Sequence, residues 1–153
     1  MNRIQSNRCP SSPRAQRGVG LVEVLIAVVV LAFGLLGIAA MQLTALRNSQ
    51  SALERSQAVA QTYAILDAMR ANDDRAIKGD YNIPETCAVP NTGDIVANDL
   101  HHWMETMRRT DVLGPNACGT INCTARECTI TVSWDDSRAG GLSKEPVKTT
   151  TQL

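Results

Sequence analysis

The strongest pattern in the chain is a long apolar run near its start. Val24–Met41, VLIAVVVLAFGLLGIAAM, holds 18 residues without a charge. With Val19–Val22 the run spans 23 residues, interrupted only by Glu23. As a helix this is about 35 Å long, enough to cross a hydrocarbon core. Beyond Met41 the sequence turns polar yet keeps its helix formers, and no proline falls between Pro13 and Pro84. Leu46, Leu53 and Ala60 recur at heptad spacing, joined by Val59, Tyr63, Leu66 and Met69. The pattern predicts one helix from Val19 to Asn72, about 80 Å long, whose second half packs this stripe against a head. The alternative is two helices with a break at Arg47–Ser51. Gly34 and Gly37 weaken the interior by about 1 kcal/mol each relative to alanine, or serve close packing between helices in a membrane.

After Asn72 the periodicity changes. Asn72-Asp73-Asp74 and Lys78–Asp94 carry turn formers, including Gly79, Pro84, Pro90 and Gly93, and predict a long irregular connection. Asp99–Arg109 reads as a short amphipathic helix, with Leu100, Trp103, Met104 and Met107 on one face. Cys118–Glu127 has few apolar groups and reads as a loop. Cys128–Trp134 alternates, with Cys128, Ile130, Val132 and Trp134 on one side and hydroxyl residues on the other, as a half-buried antiparallel strand does. Asp135–Lys144, with Gly140-Gly141, predicts a hairpin connection, and Glu145–Leu153 a returning edge strand. The fold class expected is α+β: a long N-terminal helix on a small antiparallel sheet of three or four strands.

Charge adds an asymmetry. The chain has 15 basic and 15 acidic residues. Residues 1–18 contain Arg3, Arg8, Arg14 and Arg17 and no acid, which leaves −4 from Val19 onward. A basic segment before an apolar run keeps its amino end in the cytoplasm. The negative remainder argues against a protein that binds nucleic acid through overall charge. The head has about 80 residues, a size at which an apolar core alone is marginal. Cys87, Cys118, Cys123 and Cys128 supply the means to reinforce it. In an exported head they read as two disulfides, with three pairings open. Cys87 closing a long loop with one of the later three is favoured, because long loops constrain the unfolded chain most. The spacing lacks the tight pairs of common zinc modules. His101 and His102 point about 100° apart on a helix and do not share one ion; they read as surface histidines beside a core tryptophan. No metal or cofactor is expected. Neither a phosphate-binding Gly-rich loop nor a nucleophile motif is present, so the chain does not read as an enzyme.

Glu23 separates this helix from a plain anchor. A carboxylate in an apolar segment costs on the order of a few kcal/mol unless it finds a partner, a proton or the interface. The string Arg17-Gly18-Val19-Gly20-Leu21-Val22-Glu23, followed by the apolar run, resembles the signal of type IV pilins and pseudopilins. A secretory signal peptide has a shorter apolar region with its cleavage site after it.

That resemblance implies a leader of residues 1–18, cut after Gly18 by a prepilin peptidase, with methylation of the new amine at Val19. Val19 departs from the phenylalanine most common at this position. Glu23 becomes the carboxylate that meets the amine of a neighbouring subunit. Residues 19–46 form the transmembrane and filament-core half of the helix, 47–72 its amphipathic half, and 73–153 the disulfide-containing head. Before assembly the protein sits in the inner membrane with its N-terminus cytoplasmic; afterwards it lies in a pilus at the cell surface. The partners implied are other minor and major pilins and the inner-membrane assembly platform. The layout is most similar to minor pilins of the group called PilV, the type IV pilus modification protein, which implies a priming or tip complex that supports adhesion and twitching motility. Major pilins commonly carry a disulfide-bounded loop at the extreme C-terminus, whereas the last cysteine here is Cys128. A minor pseudopilin of a type II secretion system is the first alternative. The second is a tip receptor for DNA or a host surface, for which Arg108-Arg109, Arg126 and Arg138 are the candidate basic residues.

Overall fold

The computed structural model describes residues 18–124 and 126–153. The basic segment with Arg3, Arg8, Cys9, Arg14 and Arg17 lies outside the described residues.

Helix α1 is continuous over Leu21–Ala71, 51 residues, with no break at Arg47–Ser51. The chain divides into two compact units, Met1–Ala40 and Met41–Leu153. The first carries the apolar half of α1, none of whose most apolar window is buried within the protein. That is the state of a segment whose solvent is not water.

The second unit has its own core. Helix α2 (Asp73–Ile77) follows α1 directly, then strand β1 (Ile83–Thr86), helix α3 (Ile95–Met107), strands β2 (Cys118–Thr124) and β3 (Glu127–Trp134), a 3-10 turn at Ser137–Ala139, and strand β4 (Glu145–Gln152). The four strands form one antiparallel sheet in the order β1-β2-β3-β4. The core gathers Ala58, Thr62, Ile65, Leu66 and Met69 of α1, Leu100, Trp103, Met104 and Met107 of α3, and Ile121, Ile130, Val132 and Trp134 of the sheet. The α+β architecture expected from the pattern is the one observed.

Several local expectations are corrected. The heptad stripe does not face the sheet: Leu46, Leu53 and Tyr63 are 69%, 59% and 54% exposed, Val59 is 38% exposed and Ala60 is also exposed. Only Leu66 and Met69 of that set are buried. The inner face is built instead on Ala58, Thr62 and Ile65, smaller or branched side chains lying about half a turn away. Thr62 is tolerated there because its hydroxyl donates back to the Val59 carbonyl at 2.7 Å.

The predicted loop at Cys118–Glu127 is largely β2, a central strand. Gly119, Ile121 and Cys123 face inward, and Gly119 is glycine because a Cβ there would lie 2.5 Å from the Trp103 ring. The irregular stretch at Lys78–Asp94 begins with the C-cap of α2, Lys78, and contains β1. Pro84 fits because β1 is an edge strand with a register shift between Ile83 and Thr86. The Asn82 side chain extends the ladder, accepting from Cys123 N at 2.7 Å and donating to Cys123 O at 3.1 Å. The turn before it needs Gly79, at φ +84°. Helix α3 starts at Ile95 rather than Asp99, because Asp94 caps it by accepting from Ala97 N at 3.0 Å. That bond, followed by the Arg75 guanidinium, holds the Asp94 carboxyl below its ordinary value.

Where α1 ends, a buried polar knot ties three segments. Tyr81, fully buried, donates to Asp99 Oδ2 at 2.5 Å, and Asn72 Nδ2 donates to the Tyr81 hydroxyl at 3.0 Å. Burial and then the Asp99 carboxylate push the Tyr81 hydroxyl up to about 12.

Candidate functional site

The residues singled out by the sequence fall in two places. The first is the start of α1. Gly18, Val19 and Gly20 precede the helix in irregular, exposed backbone, with Val19 71% exposed. The Gly18–Val19 peptide bond is therefore open to a peptidase rather than locked in helical hydrogen bonds. The helix is nucleated immediately after it: Glu23 N and Val24 N donate to the Gly20 carbonyl at 3.0 and 3.3 Å. Glu23 sits in the first turn, where the helix dipole favours a negative charge. Val19, Glu23, Val24, Ala27, Val28 and Leu31 line one shallow face. No hydrogen bond or ion pair reaches the Glu23 side chain from among the described residues. An acid at the head of an apolar helix, next to a bond whose cleavage would create an ammonium group, makes one end of a segment that is otherwise inert.

The second place is the sheet of the head. Cys87 pairs with Cys118, and Cys123 with Cys128. Cys123 and Cys128 stand opposite each other across β2 and β3, and bridge the hairpin just below its turn. Cys118 and Cys123 are an odd number of residues apart on one regular strand, so their side chains point to opposite faces. One disulfide therefore lies on the core face of the sheet and the other on its far side. Arg108, at the end of α3, donates to the carbonyls of Cys87 and Ala117 and so holds the end of β1 and the start of β2 together beside the Cys87–Cys118 bridge.

The remaining candidates do not converge. His101 Nδ1 binds the Pro90 carbonyl at 2.7 Å, and His102 is exposed beside Glu105. Among the described residues no group of three or more His, Cys, Asp or Glu side chains is placed to hold a metal. Arg109 is paired with Asp111 at 2.8 Å, which accounts for its raised and Asp111's lowered pKa. Arg126 lies in the β2–β3 turn and Arg138 in the β3–β4 connection. Sequence reasoning passed over Ser51, Glu54 and Asp136, which meet across the head. The available signal was the spacing of Ser51, Glu54 and Ala58 along one helical face.

A prokaryotic N-terminal methylation motif matches residues 13–39. The match takes in the Gly18–Val19 bond, Glu23 and most of the apolar run. No curated protein and no solved structure matches the chain. The motif implies processing by a prepilin peptidase and assembly with other pilins in a membrane machinery. One apolar helix near the N-terminus, carrying that motif, is a single-pass inner-membrane anchor before assembly into the pilus. A methylation motif at the head of an apolar helix, with a small disulfide-bonded sheet behind it, supports a type IV pilin-like protein.

Proposed function

We propose that the protein is a minor pilin of the PilV kind, a structural subunit that primes type IV pilus assembly and so supports adhesion and twitching motility. The observation that carries the reading is the methylation motif on the apolar helix. The minor rather than major role is supported by the cysteines: Cys123–Cys128 closes the β2–β3 hairpin, Cys87–Cys118 ties the end of β1 to β2, and among the described residues no bridge involves the β3–β4 connection or β4. In this reading residues 1–18 are a leader, Gly18–Val19 is the cleaved bond and the Val19 amine is methylated. Glu23 then pairs with the Val19 amine of an adjacent subunit. Weak screening in the membrane strengthens that attraction, and it sets the axial stagger of neighbouring helices.

Two measurements test it. The mass of the membrane-extracted chain, without reductant, should show loss of residues 1–18, one added methyl group and two disulfides. Retention of the leader would refute the reading. Glu23→Ala should leave insertion intact and remove the protein from sheared pilus fractions. Recovery of that variant in normal amount would refute the role of Glu23, and assembly only with secretion-system subunits would reassign the protein to a type II secretion pseudopilus.

A further inference from the structure

Asp136, in the connection between β3 and β4, is 2% exposed. Its Oδ2 accepts a hydrogen bond from Ser51 Oγ of α1 at 2.6 Å. Its Oδ1 is buried and has no hydrogen-bonding partner, and neither has the indole N–H of Trp134, two residues earlier at the end of β3. A buried acceptor and a buried donor, two residues apart in sequence, are thus the buried side-chain polar atoms left without a partner among the described residues. Such pairs of orphans call for a group that can serve both.

Asp136 is not free to turn away. Its N–H donates to the Leu142 carbonyl, and its own carbonyl accepts from Ala139 N and Gly141 N, all at 3.0 Å. Gly141 presses against the carboxylate so closely that a Cβ there would fall 2.1 Å from Oδ2. The cations of the neighbourhood are mostly engaged elsewhere. Arg55 on α1 is paired with Glu145 of β4, and Lys144 with Glu85 of β1. The Asp135 carboxylate is taken by Ser137 N at 3.0 Å. Arg138 lends Glu54 some positive charge from the same connection.

Glu54 lies one helical turn beyond Ser51 on the same face of α1. Its carboxyl is close enough to Trp134, Asp136 and Arg138 for each to influence its ionisation. We propose that Glu54 takes up one proton from solvent and, as the neutral acid, clasps α1 to the β3–β4 connection: its carbonyl oxygen accepts the Trp134 indole N–H and its hydroxyl donates to Asp136 Oδ1. The ionised form can do only the first and faces Asp136 as a second negative charge. The direction of the Glu54 pKa agrees: burial first, and then the Asp136 charge, raise it above its ordinary value of 4.5, against smaller opposing effects of Trp134 and Arg138. A raised pKa in the folded state fixes the sign. The clasp is fully made below the ordinary carboxylate range and is lost as pH rises through the raised value.

The test uses the full chain in detergent micelles, labelled with nitrogen-15 at its two tryptophans. The Trp134 indole signal should shift with pH through one titration centred above 4.5. In Glu54→Gln, whose amide offers the same acceptor and a donor at every pH, it should stay fixed. The Trp103 signal, held by the Gln61 carbonyl at 3.0 Å, is the internal reference. In thermal melts Glu54→Gln should match the wild type at acid pH and exceed it by a few degrees at alkaline pH. A Trp134 signal that does not titrate, one that still titrates in Glu54→Gln, or a Tm difference independent of pH would each overturn the proposal.

Discussion

Gly119→Ala tests how the head is packed. The added methyl would lie 2.5 and 2.7 Å from two carbons of the Trp103 ring and 3.2 Å from Met104 Sδ. Ordinary carbon contacts begin near 3.5 Å, so the ring edge must retreat by about 1 Å. It cannot do so freely, because its Nε1 donates to the Gln61 carbonyl of α1 at 3.0 Å and the fully buried Met104 presses on the same methyl. Overpacking of this kind costs about 1–3 kcal/mol. The stiffer unfolded chain of an alanine returns about 0.4–1 kcal/mol. The net expectation is a loss of about 1–2 kcal/mol, read as a lower urea midpoint at unchanged slope for the full chain in micelles. In a Trp103→Phe background, where the second ring is gone, the same substitution should cost little, giving a coupling of about 1 kcal/mol. Equal or greater stability of Gly119→Ala, or a loss undiminished in that background, would refute the account.

The two disulfides should differ in worth. Cys87–Cys118 spans 31 residues and Cys123–Cys128 spans 5; closure entropy then predicts losses of about 4 and about 2 kcal/mol for the paired alanine variants. A reversed order of urea midpoints would contradict it. Tyr81 should ionise late: its hydroxyl is raised from 10.0 to about 12, so the stability it contributes is full below pH 10 and lost on the way to about 12. Ultraviolet titration should show a phenolate step near pH 12 that Tyr81→Phe removes, and no step above the ordinary tyrosine range would sink the idea.

What could be read from the sequence was what repeats. An uncharged run of membrane length and the strict alternation of β3 each carry a signal stronger than local noise. The hidden parts owe their form to contacts with distant residues. Strand β2 looks like a loop because its inward positions include Gly119 and Cys123, kept small by Trp103 and by a bridge. β1 looks like a loop because an edge strand admits Pro84 and because Asn82 supplies a ladder bond through its side chain. The leucines of α1 misled because regular spacing marks a face without saying what the face meets. Leu46 and Leu53 lie exposed, while the sheet settles on Ala58, Thr62 and Ile65. Once β2 is known to be a regular strand, Cys118 and Cys123 cannot bond each other, and one of the three pairings disappears.

The order of the sheet has a kinetic consequence. Every strand is hydrogen-bonded to the next one along the chain, from β1 through to β4. No strand must be inserted between two others already joined, and the β2–β3 turn is short. Closing each pair therefore costs little chain entropy beyond the previous one, apart from the longer excursion through α3. Topologies of this local kind reach their native contacts early in the search. For a protein whose amino end is fixed in a bilayer while the rest emerges on the far side, each segment finds its partner already delivered.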